Sequence, residues 1–328
     1  MKLKSLISFF NKIAPPHFAY PNDPIGLQVG DKTKDIKKVV FALDITSNTV
    51  NTAIKNDVDL IVAHHPLIYN PLKKIDGQEP QGKMLFDLIK NDIAVFIMHT
   101  NLDVAEGGVN DILAQQYGLD PSECKPLEVT YKDMLYKVAI FVPKDYVVKL
   151  RDAICKIGAG HIGNYSHCTF ALDGQGTFLG MEGTDPFIGQ TGKMEVVDEI
   201  KLETIVPSSL LDKVVQAIKK VHPYEEVAYD IYDLYHNSKS YGIGRIGKDK
   251  KGKMIAVCSG SGGKFVTKVS SLGAQKYIVG EIGYHDVLLA DELGLNLEIL
   301  GHYESEIGIV EVLASKMREK YADLIEVI

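Results

Sequence analysis

Apolar, β-branched runs alternate with helical-period segments at both ends of this chain, and that rhythm restricts its fold more than any other feature. Between residues 38 and 118 the order is Val39–Leu43, Ser47–Lys55, Leu60–Ala63, Met84–Lys90, Ile93–Met98 and Gly108–Tyr117. Short continuous apolar runs separated by amphipathic segments predict buried parallel strands with crossover helices. The rhythm returns after residue 250, through Met254–Cys258, Phe265–Leu272, Tyr277–Val279, His285–Leu293, Leu297–Leu300 and a helix over Glu306–Lys320. Both ends are therefore expected to build one α/β fold around one sheet. With 328 residues, 45% of them hydrophobic and 24% charged, the chain can fill two cores and does not read as disordered or fibrous.

The middle carries an internal repeat instead. Lys137–Pro143 (KVAIFVP) and Lys201–Pro207 (KLETIVP) start 64 residues apart, and each reads as a strand ending in proline ahead of an amphipathic helix. Asp145 and Ser208 stand near the helix starts as expected caps. Asp173-Gly-Gln, between His167–Leu172 and Gly176–Met181, signals a hairpin, and Val227–Tyr232 closes the second copy. The resulting order, βαββαβ, is that of a ferredoxin-like module. Loop-like stretches at 120–130 and 236–250 set its expected limits. They give 129–236 as an insertion that splits an α/β domain into 1–128 and 237–328.

Composition narrows the function classes. Lysine and arginine total 36 against 43 acidic residues, a net charge of −7, and no long basic run concentrates positive charge, so nucleic-acid binding is not indicated. Cys124, Cys155, Cys168 and Cys258 are too few and too scattered for a disulfide framework or a zinc ribbon, which fits a reducing cytoplasm. The apolar patch Leu6–Phe10 is too short for a signal peptide, and no run of 18 apolar residues predicts a membrane span.

Chemistry-bearing side chains gather where the apolar runs end. His64-His65-Pro66 follows Leu60–Ala63, His99-Thr-Asn-Leu-Asp103 follows Ile93–Met98, and Gly301-His-Tyr-Glu-Ser-Glu306 follows Leu297–Leu300. Open α/β sheets bind ligands at the carboxyl ends of their strands. His302 and Glu306, four apart, fall on one face of a helical turn. Each motif has a plainer alternative: a solvated histidine pair, a turn-capping Asp103, a helix-capping Glu306. Their coincidence at one rim favours a centre for two divalent cations. Imidazole with carboxylate suits zinc, iron, manganese or nickel. Glu281 and His285, after Tyr277–Val279, are expected as outer partners or proton carriers. Gly242-x-Gly-x-x-Gly247 precedes a strand and reads as a turn, whereas Ser259–Lys264 joins a strand to a helix and could form an anion-binding nest. His17, His161, His167, His222 and His236 lack a strand-end carboxylate companion and read as surface or structural.

With these motifs in view, the chain resembles the dinuclear-metal family of GTP cyclohydrolase 1 type 2 homologs, also called NIF-three-like proteins. The resemblance runs through Gly26–Gly30, Ala42–Asp44, Ala63–Leu67, His99–Asp103, Gly107–Asn110, Gly280-Glu281 with His285-Asp286, and Gly301–Glu306. It implies His64, His65, Asp103, His302 and Glu306 as metal ligands, with Glu306 bridging two ions, and Glu281, His285 or His99 as acid–base groups. The stretch His222–Asp230 resembles the PII- or CutA-like insertion of longer members. The resemblance further implies a toroidal homohexamer and a hydrolase acting on GTP or a similar nucleotide. A phosphate ester would suit two metals equally, and a non-catalytic metal-bearing scaffold or regulator is the rival reading. Two departures stand out: Asn22-Asp23-Pro24 replaces the family's Trp-Asp-Asn, and Val279 replaces a common threonine.

Overall fold

The computed structural model describes the backbone of all 328 residues and the side chains of all but 236–238, so the reading of His236 lies outside the described residues. The chain divides into two compact units, one made of Met1–Tyr131 with Tyr241–Ile328 and the other of Lys132–Ser240.

The first unit contains two sheets. One has the order Gly26–Val29, Ala94–Ile97, Leu60–Ala63, Lys38–Ala42, Glu326–Val327, all parallel except the first. Side chains alternate between the faces of a strand, and here both faces are covered. Leu60, Val62, Ala94 and Phe96 enter one core, while Ile61, Ala63, Val95 and Ile97 enter another. The second sheet has the order Asn296–Ile299, Lys276–Glu281, Met254–Ser261, Arg245–Lys248, parallel until its last strand.

The single sheet expected from the sequence is therefore two. Strand periodicity reports burial but not pairing, and the C-terminal strands pair among themselves. Their inner face, with Ala256, Cys258, Tyr277 and Val279, shares a core with Phe41, Phe96 and Phe10 of the first group. A buried ion pair ties the two segments together: Arg245 bonds Asp111 and donates to the carbonyls of Gly242 and Gly244, both at 2.8 Å. Next to Asp111, Asn110 accepts from the Ser259 amide at 3.0 Å and donates to the Asp103 carbonyl at 3.1 Å. The helix Val109–Gln116 thus fixes the ends of both sheets relative to each other.

The second unit has the βαββαβ order of a ferredoxin-like fold. Its sheet runs Thr169–Leu179, Met194–Pro207, Glu128–Pro143, Tyr229–Ile243, and the helices Val147–Cys155 and Leu211–Val221 cover one face. Val138, Ile140, Leu202 and Val206 meet Leu150, Ile154, Val214 and Ile218 there.

Three local expectations are corrected. Asp173-Gly-Gln forms no hairpin: it lies within Thr169–Leu179, which pairs with Met194–Pro207 throughout, and the turn is the longer segment 180–193. Gly176 lies in mid-strand, and the Glu199 carboxylate occupies the space a side chain there would take. Asp145 and Ser208 are not caps; both lie in 3-10 turns ahead of their helices, and Ser208 Oγ instead donates to Asp133 at 2.8 Å. The stretch 236–250 is largely strand rather than loop, through Tyr229–Ile243 and Arg245–Lys248, and the strand Glu128–Pro143 takes the last three residues of 120–130.

Removing one partner of a buried ion pair strands the other charge. Asp111→Ala is expected to lower stability by roughly 3–5 kcal/mol in urea denaturation. A loss below about 1 kcal/mol would show that Arg245 finds compensation elsewhere.

Candidate metal centre

Three strand ends deliver the predicted side chains to one cavity of about 460 Å³ in the first unit. His64 and His65 follow Leu60–Ala63, His99 follows Ala94–Ile97, and His302 opens the short helix His302–Glu306 after Asn296–Ile299. The two histidines after Ala63 do not diverge as strand neighbours would, because the chain turns at Pro66. Their ring centroids lie 4.9 Å apart.

Glu306 is the hub. Its Oε2 lies 3.2 Å from His65 Nε2, 3.2 Å from His302 Nε2 and 3.9 Å from His64 Nε2. Asp103 Oδ1 is 3.6 Å from His64 Nε2. Three sets of potential ligand atoms converge: His64, Asp103 and Glu306; His65, His302 and Glu306; and His64, His65 and His99.

Each imidazole is held from behind. His64 Nδ1 lies 2.9 Å from the Met98 carbonyl, His65 Nδ1 2.8 Å from Asp44 Oδ1, His99 Nδ1 2.7 Å from Asp23 Oδ1, and His302 Nδ1 3.0 Å from Glu281 Oε2. An Nδ1–H donated outward leaves Nε2 as the free atom. Metal-binding histidines are oriented in this way. Asp23 also accepts from the Thr100 amide at 3.1 Å, and its hydrogen bonds outweigh burial to lower its pKa.

The electrostatics call for a cation. His64 Nε2 and Asp103 Oδ1 are buried and have no hydrogen-bond partner, although buried polar atoms are nearly always paired. Burial and the adjacent Glu306 carboxylate push the Asp103 carboxyl well above its usual range. Burial, with His65 and His99 nearby, pulls His64 down to about 3, so its ring is neutral as a ligand must be. Burial opposes a charge on His65 as well, but Glu306 and Asp44 override it and raise this residue to about 9. Hard carboxylates with imidazoles and no thiolate fit divalent zinc, iron, manganese or nickel.

Of the predicted acid–base residues, His99 lines the cavity and Glu281 anchors His302. His285 does neither. It is exposed on the first turn of the helix Tyr284–Glu292, where its ring stands 5.5 Å from that of Tyr284. Asp44 and Asp23 were not singled out as site residues from the sequence. Asp44 follows the end of the strand Lys38–Ala42, so the strand-end rule could have found it, whereas Asp23 lies in a segment with no periodic signal. The glycine-rich run Ser259–Lys264 borders the same cavity through Ser259, Gly260, Ser261 and Lys264.

The family model for Duf34/NIF3 (NGG1p interacting factor 3) matches residues 1–328. The chain belongs to this family. A relative from Bacillus subtilis (strain 168) described as "GTP cyclohydrolase 1 type 2 homolog" is 40% identical over 349 residues, covering 97% of this chain and 93% of the relative. The crystal structure of a Bacillus cereus protein related to NIF3 superposes with a TM-score of 0.89 at 37% identity, covering 100% of this chain and 96% of that one. Staphylococcus aureus protein SA1388 superposes at 0.75 with 26% identity, over 100% and 95% of the two chains.

If Asp103 and Glu306 repel each other when no cation is present, Asp103→Asn is expected to raise the melting temperature of metal-free protein while lowering metal content. A lower melting temperature with metal content unchanged would mean that Asp103 is a structural group.

Proposed function

We propose that this chain is a dinuclear metal-dependent hydrolase acting on a nucleotide-like substrate. The observation that carries the reading is the convergence of ligand atoms from His64, Asp103 and Glu306 within 4.8 Å of one another, with those of His64 and Asp103 buried and unpaired. His64 and Asp103 would hold one divalent cation and His65 and His302 the other, with Glu306 shared between them. Divalent cations so held lower the pKa of water towards neutrality and offset charge that develops on the substrate.

The chain's own groups do the rest. Asp44 and Glu281 orient His65 and His302. His99, with Nδ1 committed to Asp23, keeps Nε2 to take or return a proton at the substrate. Lys264 is the one lysine or arginine on the described cavity wall; it is ion-paired with Glu128 at 2.9 Å and stands beside Tyr20 and Phe265, so an anionic substrate with a planar ring system would compete with Glu128 for it. We also read the chain as a homo-oligomer, with a toroidal hexamer as the specific form. Tyr284, Leu288, Leu289 and Leu293 leave an apolar surface exposed along one helix. Among the described residues no helix is long and apolar enough to cross a membrane.

Reconstituted protein is expected to hold about two divalent ions per chain and to turn over GTP or another member of a nucleotide and phosphoester panel, with His65→Ala abolishing turnover. Fewer than about 1.5 ions per chain would contradict the two-ion centre. Full metal content with no turnover on any substrate would favour the scaffold or regulator. Asp23→Asn, which frees His99 without removing it, is expected to reduce kcat by about 10- to 100-fold at unchanged metal content. An unchanged kcat would remove His99 from the proton-transfer role.

A further inference from the structure

The second unit holds a cavity of about 450 Å³, between the end of the strand Thr169–Leu179, the segment 180–188 and the segment 224–228. Its size is that of a small-molecule site. The walls are aromatic and apolar: Phe141, Phe178, Met181, Phe187 and Tyr224 contribute to them. Phe187 and Tyr224 have ring centroids 6.2 Å apart, and Phe187 meets Tyr146 edge-on at 5.8 Å.

The charge at this cavity has one sign. Glu199, Glu225 and Glu226 line it, and no lysine, arginine or histidine does. The nearest imidazole is locked neutral: His222 Nε2 lies 2.9 Å from the Phe141 carbonyl, Nδ1 accepts from the Tyr224 amide at 3.1 Å, and burial lowers its pKa. Glu199 is brought to the wall by Gly176, whose missing side chain leaves room for the carboxylate. Burial and the Glu199 carboxylate beside it raise the pKa of the Tyr224 hydroxyl, so this group stays a neutral phenol at the wall. The rim is braced, since the Asp185 amide donates to Glu225 Oε2 at 3.1 Å and the Gly192 amide to the Gly180 carbonyl at 2.8 Å.

We propose that this cavity binds a small organic cation, an amine or quaternary ammonium carried on an apolar or aromatic body. The ammonium lies against Glu199 and the Phe187 and Tyr224 rings, where carboxylate attraction and ring quadrupoles act together in a partly dry site. The body of the ligand covers Phe178 and Met181. Three carboxylates without a basic partner reject a nucleotide or any other anion. The site uses no residue of the metal centre, so it stands whether or not the hydrolase reading holds.

Ligand-observed saturation-transfer NMR on the full, metal-loaded chain tests this with 2-phenylethylammonium, 2-phenylethanol and 3-phenylpropionate as probes. The ammonium is expected to bind at least about tenfold more tightly than either of the others, through its charge. Glu199→Gln should weaken it about fivefold or more, while His65→Ala leaves it unchanged. Should Glu199→Gln fail to fold, Met181→Ala, at a side chain 69% exposed, serves as the second variant and should also weaken binding. Equal binding of the three probes, no binding of the ammonium, or ammonium binding that survives the substitutions in folded protein would overturn the proposal. So would a preference for a lysine-containing peptide over the free amine.

Discussion

Two carboxylates buried side by side, with no cation among the protein's own groups to neutralise both, are the constraint around which the first unit is arranged. Asp103 leaves an oxygen unpaired beside the unpaired Nε2 of His64, and Glu306 stands between them and the His65 and His302 rings. Burying an ion costs several kcal/mol even after relaxation, a cost that a bound cation would offset. His65, raised to about 9 between Glu306 and Asp44, supplies part of the missing positive charge in the form of a proton. A divalent cation would supply more, and the outer partners of the four imidazoles already leave each Nε2 free for it.

The scaffold explains how groups so far apart in the chain can meet. The central strands Leu60–Ala63 and Ala94–Ile97 are apolar and buried throughout, so the polar side chains they lead to stand where they end. The two sheets share one core, and the Arg245–Asp111 pair with the Asn110 side chain clamps their ends to a common helix. The ferredoxin-like unit has a hydrophobic core of its own. Among the described residues, every side chain of the candidate metal cluster comes from the first unit.

Much of this was legible in the sequence because burial leaves a direct imprint. Leu60–Ala63 could be nothing but a buried strand, so His64 and His65 had to stand at its end, and the four-residue spacing of His302 and Glu306 placed both on one helical face. What escaped was set by tertiary pairing. No periodicity reveals that the C-terminal strands form a second sheet. The Asp173-Gly-Gln segment carries turn-forming residues, yet it is held extended by its pairing with the neighbouring strand Met194–Pro207. Asp23 reaches His99 across 76 positions of chain, a distance over which local pattern carries no information. His285 has the composition of a site residue, but the first turn of its helix faces outward.

The most direct test is diffraction from metal-loaded crystals at wavelengths on either side of the metal's absorption edge. The account predicts two anomalous peaks in the cavity, one bounded by His64 and Asp103, the other by His65 and His302, with Glu306 touching both. A single peak, or peaks held by other side chains while these five stay unliganded, would contradict it.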